Sequence, residues 1–206
     1  MLSRKIESYI KNSSATRKMY EAGLELKKKY GEANVVDFSL GNPVLEPPKD
    51  FHDEAIKILS SGEKGLHRYM PNAGHKAVRE AVANSLDNGG YFNGITQNDI
   101  VMCCGAAGGL NLALKTILNK GEEVIVVTPH FQEYKFYIAN HGGKYKPVMA
   151  AEDCSIDVKA VGDAITGKAR AVLVNTPNKP TGVVYSKENL EGLAAVLSEK
   201  EKKLSK

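Results

Sequence analysis

The first hundred positions alternate between helical patterns and turn residues. Residues 16–30 carry apolar side chains among charged ones and stop at Gly31, which predicts an amphipathic helix ended by a glycine. Residues 51–59 and 75–86 also have a helical pattern, and the second segment places apolar side chains at every fourth position. Residues 35–39 form a short extended run. This part of the chain is therefore predicted to contain three helices and one extended segment.

From residue 100 onward, short apolar runs alternate with helical patterns. The predicted strands are residues 100–104, 123–127, 144–148 and 169–175. The predicted helices are residues 107–118, 131–140, 158–165 and a last one, capped by Ser186, that reaches residue 197 or beyond. Apolar strands separated by helices are typical of βαβ units, so the predicted fold class is α/β with a mostly parallel sheet covered on both faces. Right-handed crossovers then bring the loops at 105–109 and 175–182 to one edge of the sheet.

Composition and charge narrow the possible partners. Of the 206 residues, 42% are hydrophobic and 25% charged, as in an ordinary globular protein. The net charge of +4 is mild, and lysine-rich runs at 27–29 and 200–206 supply much of it without interleaved aromatic residues. Nucleic-acid binding is therefore not expected. A membrane span is not expected either, because no apolar stretch approaches the required length of about 20 residues.

The termini and cysteines bear on location. The N-terminal residues have no apolar run behind them, so a secretory signal is not expected. Cys103, Cys104 and Cys154 lack the spacing of a zinc site, and no metal site is predicted. They are interpreted as small apolar residues in a reducing compartment, which favours the cytoplasm.

A turn of small residues precedes the predicted helix at 107–118. The sequence Gly105-Ala106-Ala107-Gly108-Gly109 leaves the first backbone N–H groups of that helix open, and such groups bind anions, typically phosphate. The turn matches neither the dinucleotide fingerprint nor the nucleoside-triphosphate loop. A tight turn that only packs a helix against a strand explains the same pattern, so both interpretations stay open.

Two further segments follow predicted strands. The loop at 175–182 has two prolines with polar residues between them, which is typical of a stiff loop that presents hydrogen-bonding side chains. An ordinary proline-rich turn is the alternative. Phe131 follows the strand at 123–127, where it would either stack on a planar ligand or start a helix as a core residue.

Taken together, these motifs strongly resemble the class I/II aminotransferases, the aspartate aminotransferase family of fold type I enzymes that use pyridoxal 5′-phosphate. The resemblance extends over nearly the whole chain. It rests on the order and spacing of five segments: 38–43 with Gly-x-Pro, 69–74, the phosphate turn at 105–109, the Pro-x-aromatic at 129–131 and the Pro-Thr-Gly at 180–182.

The resemblance implies a role for several residues. The backbone N–H groups of Ala106 and Ala107 would hold the cofactor phosphate, and Phe131 would stack on the pyridine ring. Gly41 would lie near the substrate carboxylate. Tyr69 matches the tyrosine that reaches the phosphate of the neighbouring subunit, which implies a homodimer. The N-terminal helix would then be an arm that clasps the partner subunit, although a plain surface helix fits the same pattern.

One position departs from the family pattern. The family usually has asparagine directly before Pro-Thr-Gly, where it donates to the phenolate oxygen of the cofactor. Here that residue is Lys179, and Asn178 comes one position earlier. Either Lys179 or Asn178 could make the contact, and the affinity of the chain for the cofactor is left open.

The resemblance also predicts domains and activity. Residues 1–47 would be the N-terminal arm and the start of a small-domain region, and 48–206 a partial large domain. The parent protein would transfer an amino group between an amino acid and a 2-oxo acid; β-elimination, decarboxylation or a non-catalytic cofactor-binding or dimerisation module are the alternatives. The Schiff-base lysine and the aspartate that pairs with the pyridine nitrogen are expected beyond Lys206. The chain is therefore predicted to be an inactive fragment without catalytic residues of its own.

Overall fold

The computed structural model describes residues 1–11, 15–39, 41 and 45–204. These residues form two compact units, which divide after Tyr69. The domain boundary after Pro47 is a separate expectation that stays a prediction. Leu40, Asn42 and Pro43 of the Gly-x-Pro motif lie outside the described residues, as do Ser205 and Lys206 of the last lysine-rich run.

The described residues of the first unit form three α-helices: α1 (Arg4–Lys11), α2 (Ala15–Tyr30) and α3 (Lys49–Ser60). Helix α2 ends at Gly31, whose φ of 86° lies in the left-handed region that favours glycine. The extended run at 35–39 packs against this helix, because a Cβ added at Gly23 would lie 3.0 Å from Asp37 Oδ2. Hydrogen bonds from Ser39 and the nearby Lys27 ammonium lower the pKa of Asp37.

The second unit is the α/β fold predicted from the sequence. Its helices are α4 (Lys76–Asn88), α5 (Gly105–Ile117), α6 (Tyr134–Asn140), α7 (Val158–Ala164) and α8 (Lys187–Leu204). Its strands are β1 (Glu123–Thr128), β2 (Lys144–Met149) and β3 (Ala169–Leu173). All pairings are parallel, in the order β2-β1-β3, so the central strand is β1.

The two faces of β1 belong to two separate cores. Val124 and Val126 pack with Leu114 of α5 and Ile138 of α6 on one face. On the other face lies a second core, which contains Ile125, Val127, Val161 of α7 and Leu193 of α8. The alternation of side chains along a strand therefore places α5 and α6 on one side of the sheet and α7 and α8 on the other.

One local prediction is confirmed and two are corrected. Ser186 caps α8, since its Oγ accepts a hydrogen bond from the Asn189 N–H at 3.1 Å. Residues 100–104 form no strand: Met102 N–H donates to Ala73 at 2.9 Å, and the sheet of the described chain takes no pairing from this segment. Helix α6 begins at Tyr134 instead of residue 131, because the chain first makes a turn in which Tyr134 N–H donates to the Phe131 carbonyl at 3.2 Å.

Two classes of feature are absent from the described part of the chain. None of its helices is long and apolar enough to cross a membrane. Within the same residues, no group of three or more His, Cys, Asp or Glu side chains is arranged to hold a metal ion.

Candidate cofactor-binding site

The topology creates a crevice at the carboxyl ends of β1 and β3. These neighbouring parallel strands continue into helices on opposite faces of the sheet, β1 into α6 and β3 into α8. The two connecting loops therefore diverge, and in open α/β sheets such a point is where ligands bind. The loop after β1 carries Phe131 and the loop after β3 carries residues 175–182.

Phe131 and Lys179 meet across this crevice. The Lys179 Nζ lies 5.1 Å from the centroid of the Phe131 ring, within the range of a cation–π contact. Phe131 is half-buried, and Tyr134 packs edge-on against its ring at a centroid distance of 5.6 Å. Lys179 itself is exposed. The site therefore combines an aromatic ring that packs against Tyr134 with a long cationic side chain.

Asn178 is placed differently from its neighbour. It is only 7% exposed, and its Nδ2 donates to the Tyr185 hydroxyl at 3.2 Å. Its Oδ1 accepts from the Thr181 hydroxyl at 3.0 Å and from the Thr181 N–H at 3.4 Å. The side chain of Asn178 is thus engaged inside its own loop, whereas Lys179 extends toward Phe131.

The start of α5 provides backbone donors. Ala106 and Ala107 lie in the exposed first turn of this helix, where N–H groups have no partner within the helix. Gly105 has a φ of 67°, a conformation that favours glycine, and Cys104 at the N-cap position supplies no side-chain cap for the helix. The positive end of the helix dipole at these N–H groups favours an anion.

A polar pair beside Phe131, His130 and Tyr145, is not apparent from the sequence. His130 is 6% exposed, and its Nδ1 and Nε2 lie 2.8 Å from the Phe131 carbonyl oxygen and 2.6 Å from the Tyr145 hydroxyl. Burial raises the pKa of Tyr145, so its hydroxyl remains protonated at neutral pH. The only signal in the sequence is a histidine beside the aromatic residue, because Tyr145 comes from another strand.

Tyr69 and Gly41 belong to the first unit. Tyr69 is fully exposed, and Gly41 is exposed with no atom of the described residues within 4 Å of a Cβ built on it. Their predicted contacts, with a partner subunit's cofactor and with a substrate carboxylate, stay predictions.

The chain is similar to aminotransferases along most of its length. A probable aspartate aminotransferase of Methanocaldococcus jannaschii is 31% identical over 80% of this chain and 43% of its own length. An aspartate/prephenate aminotransferase of Thermus thermophilus is 31% identical over 96% of this chain and 50% of its own. The crystal structure of an aminotransferase from Eubacterium rectale matches with a TM-score of 0.92 and 29% identity, over 100% of this chain and 52% of that one.

These relatives establish the fold and the extent of the match. The chain spans about half the length of the curated relatives it matches. The sequence model of aminotransferase class I and II matches residues 33–203, a range that includes the turn before α5, Phe131 and the loop at 175–182. The chain therefore belongs to the class I and II aminotransferase family.

Proposed function

We propose that the protein to which this chain belongs transfers an amino group between an amino acid and a 2-oxo acid with pyridoxal phosphate. The observation that carries this proposal is the contact between Phe131 and Lys179 at the carboxyl ends of β1 and β3. Both residues lie within the range 33–203 that matches the family model. The names of the two curated relatives make aspartate and prephenate the first substrates to test.

The described residues fit the three groups that pyridoxal phosphate presents. The N–H groups of Ala106 and Ala107 suit its phosphate because they lie uncapped at the positive end of α5. Phe131 suits its flat ring because an aromatic side chain offers a π-face. Lys179 suits its phenolate oxygen because an ammonium donates charge-assisted hydrogen bonds.

Lys179 is the better candidate than Asn178 for the phenolate contact. The Asn178 amide would have to give up its bonds to Tyr185 and Thr181 in order to reach a ligand. Lys179 would have to give up only an exposed cation–π contact, which is worth about 0.5–1 kcal/mol. A cation beside the phenolate would also favour its ionised form.

The chemistry that bound pyridoxal phosphate supplies is an electron sink for charge that develops at the substrate α-carbon. The residues of this chain bind and orient: Ala106 and Ala107 hold the phosphate, Phe131 supports one face of the ring, and Lys179 donates to the phenolate. The proton transfers of the reaction need a lysine amine. We assign that lysine, and the aspartate that pairs with the ring nitrogen, to the sequence beyond Lys206.

The proposal extends to assembly and location. Tyr69 would contact the phosphate in a partner subunit, so the protein would act as a homodimer, with Gly41 near the substrate carboxylate. Residues 1–47 would form the arm and the start of a small-domain region, and 48–206 part of the large domain. The three free cysteines favour a cytoplasmic location.

The test is a titration of the purified chain with pyridoxal phosphate, in which circular dichroism at visible wavelengths measures the binding. We expect saturable binding that weakens at least tenfold in Phe131→Leu and is unchanged in Phe136→Leu. Phe136 is a matched control because its ring also has a cation–π contact, with Lys135 Nζ 5.0 Å from its centroid. Binding that is absent, or equally weak in both variants, would contradict the assigned site.

Borohydride reduction and peptide mapping then test the division of catalytic roles. We expect scattered, sub-stoichiometric labelling of lysines in this chain and no amino transfer to 2-oxoglutarate. The complete product of the gene is expected to show both a stoichiometric adduct and turnover. One stoichiometric adduct within residues 1–206, at Lys179 for example, would overturn the assignment of the Schiff-base lysine to the sequence beyond Lys206.

A further inference from the structure

The side chain of His130 makes both of its hydrogen bonds inside the fold. A carbonyl oxygen can only accept, so Nδ1 carries a proton and donates to the Phe131 carbonyl over 2.8 Å. In the neutral ring Nε2 is then an acceptor, and the Tyr145 hydroxyl donates to it over 2.6 Å. These two bonds select the Nδ1–H tautomer.

The ring of His130 is also held on its faces and edges. Tyr134 stacks on it with a centroid distance of 5.7 Å and an interplanar angle of 26°. Tyr145 packs edge-on at 5.4 Å and 70°. At 6% exposure the imidazole has almost no contact with solvent, so it cannot exchange its protein partners for water without opening the core.

His130 therefore connects strand β2 to the backbone of Phe131. Tyr145 fixes the imidazole, the imidazole fixes the Phe131 carbonyl, and the direction of that carbonyl restricts where the Phe131 side chain leaves the backbone. Tyr134, which stacks on His130, also meets the Phe131 ring edge-on at 78°. The same aromatic group thus supports both the backbone and the ring of Phe131.

We propose that His130 is a positioning residue, held by Tyr145, that fixes the orientation of the Phe131 ring for stacking on a planar ligand. The inference rests on the proposed function only for the identity of that ligand. The orientation of Phe131 itself is a property of the free chain, and it can be measured without any cofactor.

The first experiment uses the free chain and three variants. Tyr145→Phe removes one hydroxyl and keeps the ring, Tyr137→Phe removes a hydroxyl from a neighbouring residue of α6, and His130→Asn retains a donor near the position of Nδ1. Long-range ¹H–¹⁵N spectra of histidine are expected to show the Nδ1–H tautomer in the wild type and in Tyr137→Phe. In Tyr145→Phe the Nδ1–H tautomer should persist, because the bond to the Phe131 carbonyl remains, but the Nε2 resonance should shift and the contacts between the Phe131 and Tyr134 rings should weaken.

The second experiment adds pyridoxal phosphate. We expect its dissociation constant to rise about threefold to tenfold in Tyr145→Phe, its induced circular dichroism to fall, and His130→Asn to lie between this variant and the wild type. A wild-type chain that binds no pyridoxal phosphate would count against the proposed function, while the spectra of the free chain still decide the positioning role. Unchanged contacts between the Phe131 and Tyr134 rings in Tyr145→Phe would overturn that role, as would unchanged dichroism in a chain that binds.

Discussion

Replacement of Asn178 by alanine should destabilise the second unit through its loop. The side chain is 7% exposed and makes three hydrogen bonds, one to the Tyr185 hydroxyl and two to Thr181. Alanine can make none of them. Tyr185 is 5% exposed, so its hydroxyl would lose this donor in a place that water does not readily reach.

The expected loss follows from the three contacts. A protein hydrogen bond contributes about 0.5–1.5 kcal/mol net, and a buried group left without a partner costs about 1–3 kcal/mol. The contact of 3.4 Å to the Thr181 N–H is too long to contribute much, and Thr181 is half-buried, so water can replace part of its bonding. Most of the effect therefore comes from Tyr185 and the 3.0 Å bond to the Thr181 hydroxyl. We expect a loss of about 2 kcal/mol in the free energy of unfolding.

The assay is urea unfolding followed by circular dichroism, with Asn175→Ala as the matched control. Asn175 makes one hydrogen bond, to the Pro177 carbonyl at 3.1 Å, and its removal should cost about 0.5–1 kcal/mol. Tyr185→Phe in the same background should recover part of the loss, since the unpaired hydroxyl is then gone. If Asn178→Ala were no more destabilising than Asn175→Ala, the structural role of Asn178 would be refuted.

Substitutions of two charged residues, Lys179 and Glu123, test the charges of this unit. Lys179→Ala should change the free energy of unfolding by less than about 1 kcal/mol, because only an exposed cation–π contact is lost. The same variant should weaken pyridoxal phosphate binding about tenfold or more in a visible titration, and Lys179→Asn should recover part of that binding. Equal binding in the wild type and both variants would contradict the assignment of Lys179. Glu123→Gln should destabilise the fold by roughly 1 kcal/mol at pH 7, because Glu123 accepts from Thr166 at 2.7 Å and from Lys146 at 3.0 Å. These bonds lower the pKa of Glu123 below its ordinary 4.5, so the stabilisation is present above that pH and is lost as the pH falls through the folded-state pKa. Urea unfolding at a series of pH values should therefore show the two proteins converging in acid, and a difference that persists there would argue against the ion pair.

The sheet was predicted closely wherever a strand has neighbours in this chain. The apolar run at 123–127 became β1, extended by one residue, because it pairs on both sides. The run at 100–104 has the same apolar character, yet it lies outside the three-stranded sheet of the described residues. Strand formation depends on partners distant in sequence, so an apolar run alone does not determine it. Helices were easier to predict, since their hydrogen bonds are local.

The sequence predicts the loops of the candidate site but not the contacts between their residues. The sequence predicts that Phe131 and residues 175–182 each follow a strand, and the structure shows that these two strands are parallel neighbours, which brings both loops to one edge of the sheet. It could not assign a partner to His130, because Tyr145 lies fifteen residues away on a strand whose register is set by the fold. A contact of this kind has no periodicity to reveal it.

The loop before Pro-Thr-Gly shows how position and residue type can give different answers. Transfer of the family's role by residue type selects Asn178, whereas transfer by position selects Lys179. The contacts of the two residues favour the transfer by position. Asn178 forms hydrogen bonds within the loop to Tyr185 and Thr181, while Lys179 contacts the Phe131 ring. A shift of the loop by one residue would expose Asn178 at the cost of its buried bonds and would turn the Lys179 ammonium toward the core, where a charge is expensive to bury. The buried bonds of Asn178 therefore oppose such a shift, and Lys179 remains the exposed side chain of the pair.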